Sequence, residues 1–247
     1  MKQDHYNLEI HQNLKRWNEK PLLKKIYLRF YSLIASQMSE GIDGYKVELG
    51  SGIGNLKMVI PGVIATDMFA NPWIDKVENA YQLSFGNESV SDLILFDVFH
   101  HLEYPGTALD EFCRVLKKKG RVIIFEPGMS LMGLIVYGLM HHEPVALFNK
   151  IKWKFGHGTD PVTLGYYSAQ GNANRIFGKK KYAHLLSDWK IVNIQKRSSI
   201  AYVLSGGYSR KQWYPDSWLP LLTGLERILD LVPCLFATRM IVVLEKQ

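Results

Sequence analysis

Apolar positions along the chain keep two rhythms. From Pro21 onward Leu22, Leu23, Ile26, Tyr27, Phe30, Leu33 and Ile34 recur at three- and four-residue steps, with Lys24, Lys25 and Arg29 on other faces. This spacing predicts an amphipathic helix that begins at a proline, where the missing N–H has no helical partner to lose. "YKVEL" (45–49) then reads as a buried strand and "GVIATD" (62–67) as a second. "DLILFDVF" (92–99) is almost continuously apolar, the pattern of a parallel strand covered on both faces. Thr107 with Asp110 three residues on has the form of a capping box, opening a helix that carries Ala108, Leu109, Phe112, Val115 and Leu116 and closes at Gly120. "RVIIFE" (121–126) is the next strand, stopped by Pro127 and Gly128. Strand, helix and strand in this succession predict an open α/β sheet.

Beyond Gly128 the pattern loosens. A short apolar helix (131–140) leads into a loop rich in glycine and aromatics (155–172), a basic helix to about Leu186 and a strand near 190–196. A last helix over roughly 218–232 and a terminal strand, "RMIVVLEK" (239–246), complete the chain. The expected organisation is one domain: an N-terminal amphipathic helix (1–40), a ligand-binding core (41–128), an inserted basic cap without its own core (129–186), and C-terminal strands and helix that complete the sheet (187–247).

Charge adds a clue that periodicity does not. The net charge is +7, yet residues 144–212 hold twelve Lys and Arg against Asp160 and Asp188, a local excess of +10. A small anionic substrate facing this cap is the expected partner, with a solvated surface as the alternative. Cys113 and Cys234 both fall in helical patterns and are expected as buried free thiols. The polar stretch 1–9 has no leader-like apolar segment, and no run approaches the roughly 20 apolar residues a spanning helix needs. A cytoplasmic location is therefore expected. The Lys-rich helix from Pro21, with Trp213, Trp218 and the apolar stretch to Phe236, leaves room for peripheral membrane contact.

The chemistry gathers at "VELGSGIGN" (47–55), which follows the first strand. Ligands of open α/β sheets bind beyond the carboxyl ends of the strands, where a turn must bend sharply and let the ligand approach its backbone. A dinucleotide fingerprint would need glycine at position 55, which is Asn55. The spacing of Gly50, Gly52 and Gly54 instead suits a smaller ligand. Glu48 can accept a hydrogen bond from an ammonium group, and Asp67, closing the second strand, can take both hydroxyls of a ribose. A nucleoside with an amino-acid tail meets both demands, and S-adenosylmethionine is such a molecule.

Five blocks in order carry a specific resemblance: "VELGSGIGN", "GVIATDMF", "NAYQLSF", "DLILFDVFHHL" and "ALDEFCRVLKKKGRVIIFEPG". Over its first half the chain resembles class I S-adenosylmethionine-dependent methyltransferases of the small-molecule group called type 11. The resemblance implies a Rossmann-like open sheet, mostly parallel with an antiparallel last strand, with helices on both faces. It implies that Glu48, Gly50, Ser51 and Gly52 hold the methionyl part, that Asp67 binds the ribose, and that Met68, Asn79 and Ala80 surround the adenine. Asp97 and Val98 would lie near the sulfonium. Only seven residues separate Gly54 from Gly62, and Asn71, Pro72 and Trp73 follow the second strand, so the helices there are cut short and the pocket is expected to be open on that side.

In-line displacement on the methyl group needs a base only for a weakly acidic acceptor, and His100 and His101 are the candidates at the catalytic edge. His157, Tyr166 and Tyr167 are candidate substrate contacts from the cap. No metal site is expected: His141, His142 and Glu143 form a cluster, but adjacent histidines on a helix point apart. The expected activity is O- or N-methylation of a small or lipid-linked anionic acceptor. An RNA methyltransferase and a cofactor-binding protein without catalysis are the alternatives; "DVFHH" stands where an N-P-P-Y type sequence would favour RNA, and nothing suggests DNA.

Overall fold

The computed structural model describes residues 3–139, 143–146, 148–156, 167–178 and 180–247. Seven strands form one sheet: β1 (Tyr45–Leu49), β2 (Ile64–Asp67), β3 (Lys76–Val77), β4 (Val90–Phe96), β5 (Leu116–Pro127), β6 (Trp189–Arg197) and β7 (Arg239–Lys246). Their order is β3-β2-β1-β4-β5-β7-β6. The first five pair in parallel, and β7 runs antiparallel to both of its neighbours. The order reverses between β1 and β4, which places the ligand crevice at the carboxyl ends of those two strands.

Side-chain alternation divides each central strand between two layers. Leu93 and Leu95 of β4, Val122 and Ile124 of β5, and Val242 and Leu244 of β7 pack with Ala108, Leu109 and Phe112 of α3 (Pro105–Val115). Ile94, Ile123, Phe125, Ile241 and Val243 face the other way, onto Leu23, Tyr27, Tyr31 and Ile34 of α2 (Pro21–Ala35). Both faces are thus covered, which is why these strands read as continuous apolar runs.

The N-terminal segment is two helices rather than one: α1 (Gln3–Glu19) precedes α2. Lys20 between them is buried, and its Nζ donates to the carbonyls of Ser205 (3.1 Å), Gly207 (2.6 Å) and Arg210. This fastens the helix junction to the loop after α6 (Ile200–Ser205), an element the apolar pattern does not announce.

Several expected boundaries move. Pro105 takes the first turn of α3 with Tyr104 as N-cap, so Thr107 lies inside the helix and caps nothing. That helix ends at Val115, and Leu116 already pairs with Val90, so Gly120 belongs to β5. The cap contributes α4 (Leu131–Leu139), α5 (Asn172–Phe177) and a 3-10 turn (Lys180–Leu185) instead of a long basic helix. Its Ile151, Ala173, Ile176 and Phe177 join the α3 side of the sheet. The last expected helix is α7 (Leu219–Leu229), ending before Pro233, which opens α8 (Pro233–Phe236). Cys113 is half-buried and Cys234 exposed, both free, so neither is the fully buried thiol expected.

The Lys-rich helix α2 packs on the sheet, whereas α7 shows solvent an apolar stripe of Leu221, Leu225 and Ile228. No helix among the described residues is long and apolar enough to cross a membrane.

Between β1 and β2 only a 3-10 turn (Asn55–Met58) remains of a helix. The pocket is nevertheless not open there. Helix α1 lies across the gap: Tyr6 packs on Phe69 (ring centroids 5.0 Å), His11 meets Trp73 edge-on (5.6 Å), and Asn71 Nδ2 donates to the Tyr6 hydroxyl (2.8 Å).

Candidate functional site

Beyond β1 the backbone turns through left-handed conformations at Gly50 (φ +71°) and Gly54 (φ +65°). A Cβ on Gly50 would collide with Cγ2 of Val98, and one on Gly54 would lie 2.6 Å from the Trp73 carbonyl oxygen. Glycine is required at both places by conformation and by space. Ser51 anchors the turn to β2: its N–H donates to the Thr66 carbonyl (2.8 Å), and its Oγ accepts from the Thr66 N–H (3.0 Å).

Two carboxylates flank this turn. Glu48 is buried, and its Oε2 has no hydrogen-bond partner among the described residues. Burial pushes its carboxyl up to about 8; the Ser51 side chain opposes the rise, and Asp67 adds to it. Asp67 is also raised by burial, against the Tyr6 hydroxyl and the backbone N–H groups of Gly52, Phe69 and Met68, which favour its charged form. The Gly52 N–H donates to Asp67 Oδ2 at 3.1 Å.

Both carboxylates open onto one cavity of about 690 Å³. Glu48, Gly50, Ser51, Gly52, Asp67, Met68, Asn79, Ala80, Asp97 and Val98 all line it, as do His100, His101 and Tyr167. His157 and Tyr166 lie outside the described residues. Asn79 turns its side-chain carbonyl back onto the Tyr81 N–H (3.0 Å), and Met68 is half exposed at the rim.

The far half of the cavity is aromatic and acidic. Tyr27, Tyr31, Tyr137, Tyr202 and Tyr208 form much of its wall. Arg239, fully buried at the start of β7, pairs with Asp97, which ends β4 in a left-handed conformation (φ +54°). The guanidinium also lies over the Tyr202 ring, 4.6 Å from its centroid. His100 Nδ1 donates to Glu126 Oε2 (2.7 Å), while Nε2 faces Glu143 Oε2 (3.2 Å). Burial would lower His100, but the two carboxylates outweigh it and raise it to about 10. His101 Nδ1 donates to the Tyr167 carbonyl (2.9 Å), which leaves the lone pair of the neutral ring on Nε2, 3.6 Å from Glu143 Oε1. Burial and the neighbouring His100 lower His101.

Residues 64–124 match the family profile described as a methyltransferase domain, of type 11. The fold resembles a SAM-dependent methyltransferase from Thermotoga maritima, with 14% identity, all of both chains covered and a TM-score of 0.59. It also resembles a chain of the complex between the Haloferax volcanii Trm112 methyltransferase activator and a methyltransferase, with 10% identity, 99% and 96% covered and a TM-score of 0.54. No curated protein matches the sequence. Residues 64–124 thus carry a methyltransferase domain, set in a chain whose fold is that of SAM-dependent methyltransferases.

The cavity suits S-adenosylmethionine on grounds internal to the structure. The orphaned Glu48 oxygen is an acceptor with nothing to accept, and the glycine turn is a cradle that any Cβ would fill. The sequence did not mark the tyrosine wall, because Tyr27 and Tyr31 read as core positions of a helix. Arg239 was hidden as the charged first residue of an apolar strand. The sequence places Glu143 only beside His141 and His142, which lie outside the described residues. Of the twelve cations of the basic segment, Arg210 is the one among the described residues that lines the cavity. Lys152 and Lys154 instead pair with Glu103 and Asp110, both at 2.5 Å.

Proposed function

We propose that the methyltransferase methylates a hydroxyl or amino group of a small molecule held in the tyrosine-lined half of the cavity. The cofactor supplies an electrophilic methyl group on a sulfonium, so the protein's task is chiefly alignment and exclusion of water. The observation that carries this reading is the pair Glu48 and Asp67 on either side of the glycine turn, opening onto a cavity that continues to His100 and His101.

In this reading the ionised Glu48 receives the ammonium of the amino-acid tail, and the backbone of Gly50, Ser51 and Gly52 lies along it. Asp67 takes the ribose hydroxyls, exchanging the Tyr6 hydroxyl for them. Met68, Asn79 and Ala80 flank the base, and Asp97 and Val98 border the reacting centre. The acceptor's reacting atom lies against His101 and Glu143, the groups able to receive its proton; Nε2 of His100 is already directed at Glu143. Tyr167 borders the acceptor, as do the residues of the cap.

The lining favours a compact acceptor with an apolar or aromatic body over a polyanion, since Arg239 is already neutralised by Asp97. An anionic group on the acceptor would meet Arg210 at the rim. The exposed stripe of α7 supports peripheral contact with a membrane from which a lipid-linked acceptor would come.

Calorimetric titration with S-adenosylhomocysteine tests the core of this reading. One molecule should bind per chain, and Asp67→Ala should lower the affinity at least about tenfold, the loss of one charged hydrogen-bond partner. Absence of heat with the unaltered protein would overturn it.

A further inference from the structure

The acceptor half of the cavity contains a group of side chains that a proton-accepting role leaves unexplained. His100 and His101 come from the 3-10 turn (Phe99–His101) after β4, and Glu143 from the cap more than forty residues later. They converge so that three donor atoms, one from each, lie within 4.8 Å of one another. We propose that His100 Nε2, His101 Nε2 and one carboxylate oxygen of Glu143 form a binding site for a divalent transition-metal ion of the zinc class, facing the acceptor.

Three observations carry this. The first is spacing. Ligands of a tetrahedral zinc ion at about 2.0–2.2 Å stand about 3.3–3.6 Å apart. Here Nε2 of His100 stands 3.2 Å from Glu143 Oε2 and Nε2 of His101 3.6 Å from Glu143 Oε1, so the carboxylate bridges the two rings at close to that spacing.

The second is orientation. A metal-bound histidine nearly always donates its other ring N–H to a carboxylate or a backbone carbonyl, which fixes the tautomer and aims the lone pair. Both histidines do so: Nδ1 of His100 donates to Glu126, and Nδ1 of His101 to the Tyr167 carbonyl. At His100 Nε2 the ion would take the place of the proton now held toward Glu143, and that proton would pass to solvent. Glu126 is itself held, since its Oε1 accepts the Phe99 N–H at 2.7 Å. Gln170 Nε2 donates to Glu143 Oε2 at 2.8 Å and steadies that carboxylate in turn.

The third is access. All three residues line the large cavity, so a fourth position faces the place assigned above to the acceptor. Two imidazoles and one carboxylate with an open position is a donor set of catalytic zinc and related ions. The objection that neighbouring histidines diverge holds on an α-helix. It fails here, because these two sit in a tight 3-10 turn with ring centroids 4.1 Å apart.

An acceptor hydroxyl that completed the coordination would lose its proton near neutral pH, because the ion lowers its pKa as it does that of bound water. The proton would pass to solvent, and no separate base would be needed. The inference rests on the acceptor compartment proposed above, but its test does not depend on an acceptor being known.

Protein stripped with a chelator is titrated with Co²⁺ while its visible d–d absorption is followed, then with Zn²⁺ as competitor. One equivalent of Co²⁺ should give bands of a four- or five-coordinate site, and Zn²⁺ should abolish them. Glu143→Ala and His101→Ala should each weaken Co²⁺ binding by more than the roughly 10–100-fold expected for loss of an outer-shell partner, with S-adenosylhomocysteine binding retained. Unaltered protein that binds S-adenosylhomocysteine yet shows neither Co²⁺ bands nor Zn²⁺ heat overturns the metal site alone. Wild-type Co²⁺ affinity in both variants overturns it as well. Loss of S-adenosylhomocysteine binding by the unaltered protein would instead count against the cofactor assignment.

Discussion

Arg239 at the start of β7 pairs with Asp97 at the end of β4, across the intervening strand β5. The arginine is fully buried, while the aspartate side chain keeps about a third of its surface (30%) toward the cavity. Four aromatic rings surround the guanidinium, from Phe30, Phe96, Phe125 and Tyr202. Removing one member of a buried pair strands the other, at about 3–5 kcal/mol. The two members are not equivalent. Asp97→Ala leaves a cation with no counter-charge inside an aromatic shell and should reach that range in urea unfolding. Arg239→Met fills the same space with apolar atoms and leaves an aspartate that can hydrate from the cavity, so it should cost less. Equal losses would mean that the pair stabilises the fold by packing alone.

Helix α1 stands in for the missing helices of the cofactor half. Its Tyr6 packs on Phe69 with the rings tilted and reaches the Asp67 carboxylate. If Asp67 exchanges that hydroxyl for a ribose, α1 closes over the bound nucleoside. Tyr6→Ala removes an aromatic pair worth about 0.5–1.5 kcal/mol beyond its buried area. S-adenosylhomocysteine should therefore dissociate up to about tenfold faster by stopped-flow fluorescence, with a smaller change in association. An unchanged dissociation rate would show that α1 does not cover the site.

Much of this arrangement was legible in the sequence, for reasons that can be named. β4 and β7 are buried on both faces, so their apolar runs are unbroken, and the terminal strand is found at 239–246 as read. The glycine turn and its two carboxylates are local features, written within twenty residues of one another. The rest depends on contacts between distant segments. Tyr27 is a core residue by periodicity, and only packing reveals that its helix also walls a cavity. Glu143 meets His100 through segments distant in the chain: the Gln170 N–H donates to the Pro144 carbonyl (3.2 Å), and the Ala169 N–H to the His100 carbonyl (2.9 Å). No spacing rule contains that approach. The basic segment is less legible, because charge alone does not say which cations face a cavity. Lys152, Lys154 and Arg197 form surface pairs with Glu103, Asp110 and Asp230, whereas Arg210 lines the cavity.

Gly50 offers a test of the turn by geometry alone. In Gly50→Ala the new methyl group meets Val98 Cγ2 and the residue must keep φ near +71°. The conformational part alone costs about 1–3 kcal/mol. A second change, Val98→Ala, should relieve the collision and leave the conformational part, so the double variant should recover a fraction of the lost stability in thermal unfolding. Full recovery would mean that steric contact is the only constraint at this position.

With Glu48 in its proposed role, binding and stability should depend on pH in opposite directions. Its carboxyl titrates near 8 in the folded chain, against 4.5 when exposed. The folded state therefore holds the proton more tightly. The stability this contributes is complete below about pH 4.5 and is lost as pH rises toward 8, at no more than about 1.4 kcal/mol per pH unit. On the proposed role of Glu48, ligand binding runs the other way, because an ammonium would be received by the ionised form. Affinity for S-adenosylhomocysteine should rise with pH and level off near 8, approaching about tenfold per unit well below that value. Calorimetry in buffers of different ionisation enthalpy should show close to one proton released per ligand bound near neutral pH. Asp67 and Lys57 also act on Glu48, and Tyr31 and Tyr208 lie near it, but the tyrosines stay protonated throughout this range because burial raises both. Glu48→Gln isolates the carboxyl: it should bind more weakly at pH 8 and lose the slope in both affinity and stability. A variant that keeps either slope would assign the titration to another group, and an unaltered protein whose affinity is flat from pH 6 to 8 would show that Glu48 does not receive the ammonium.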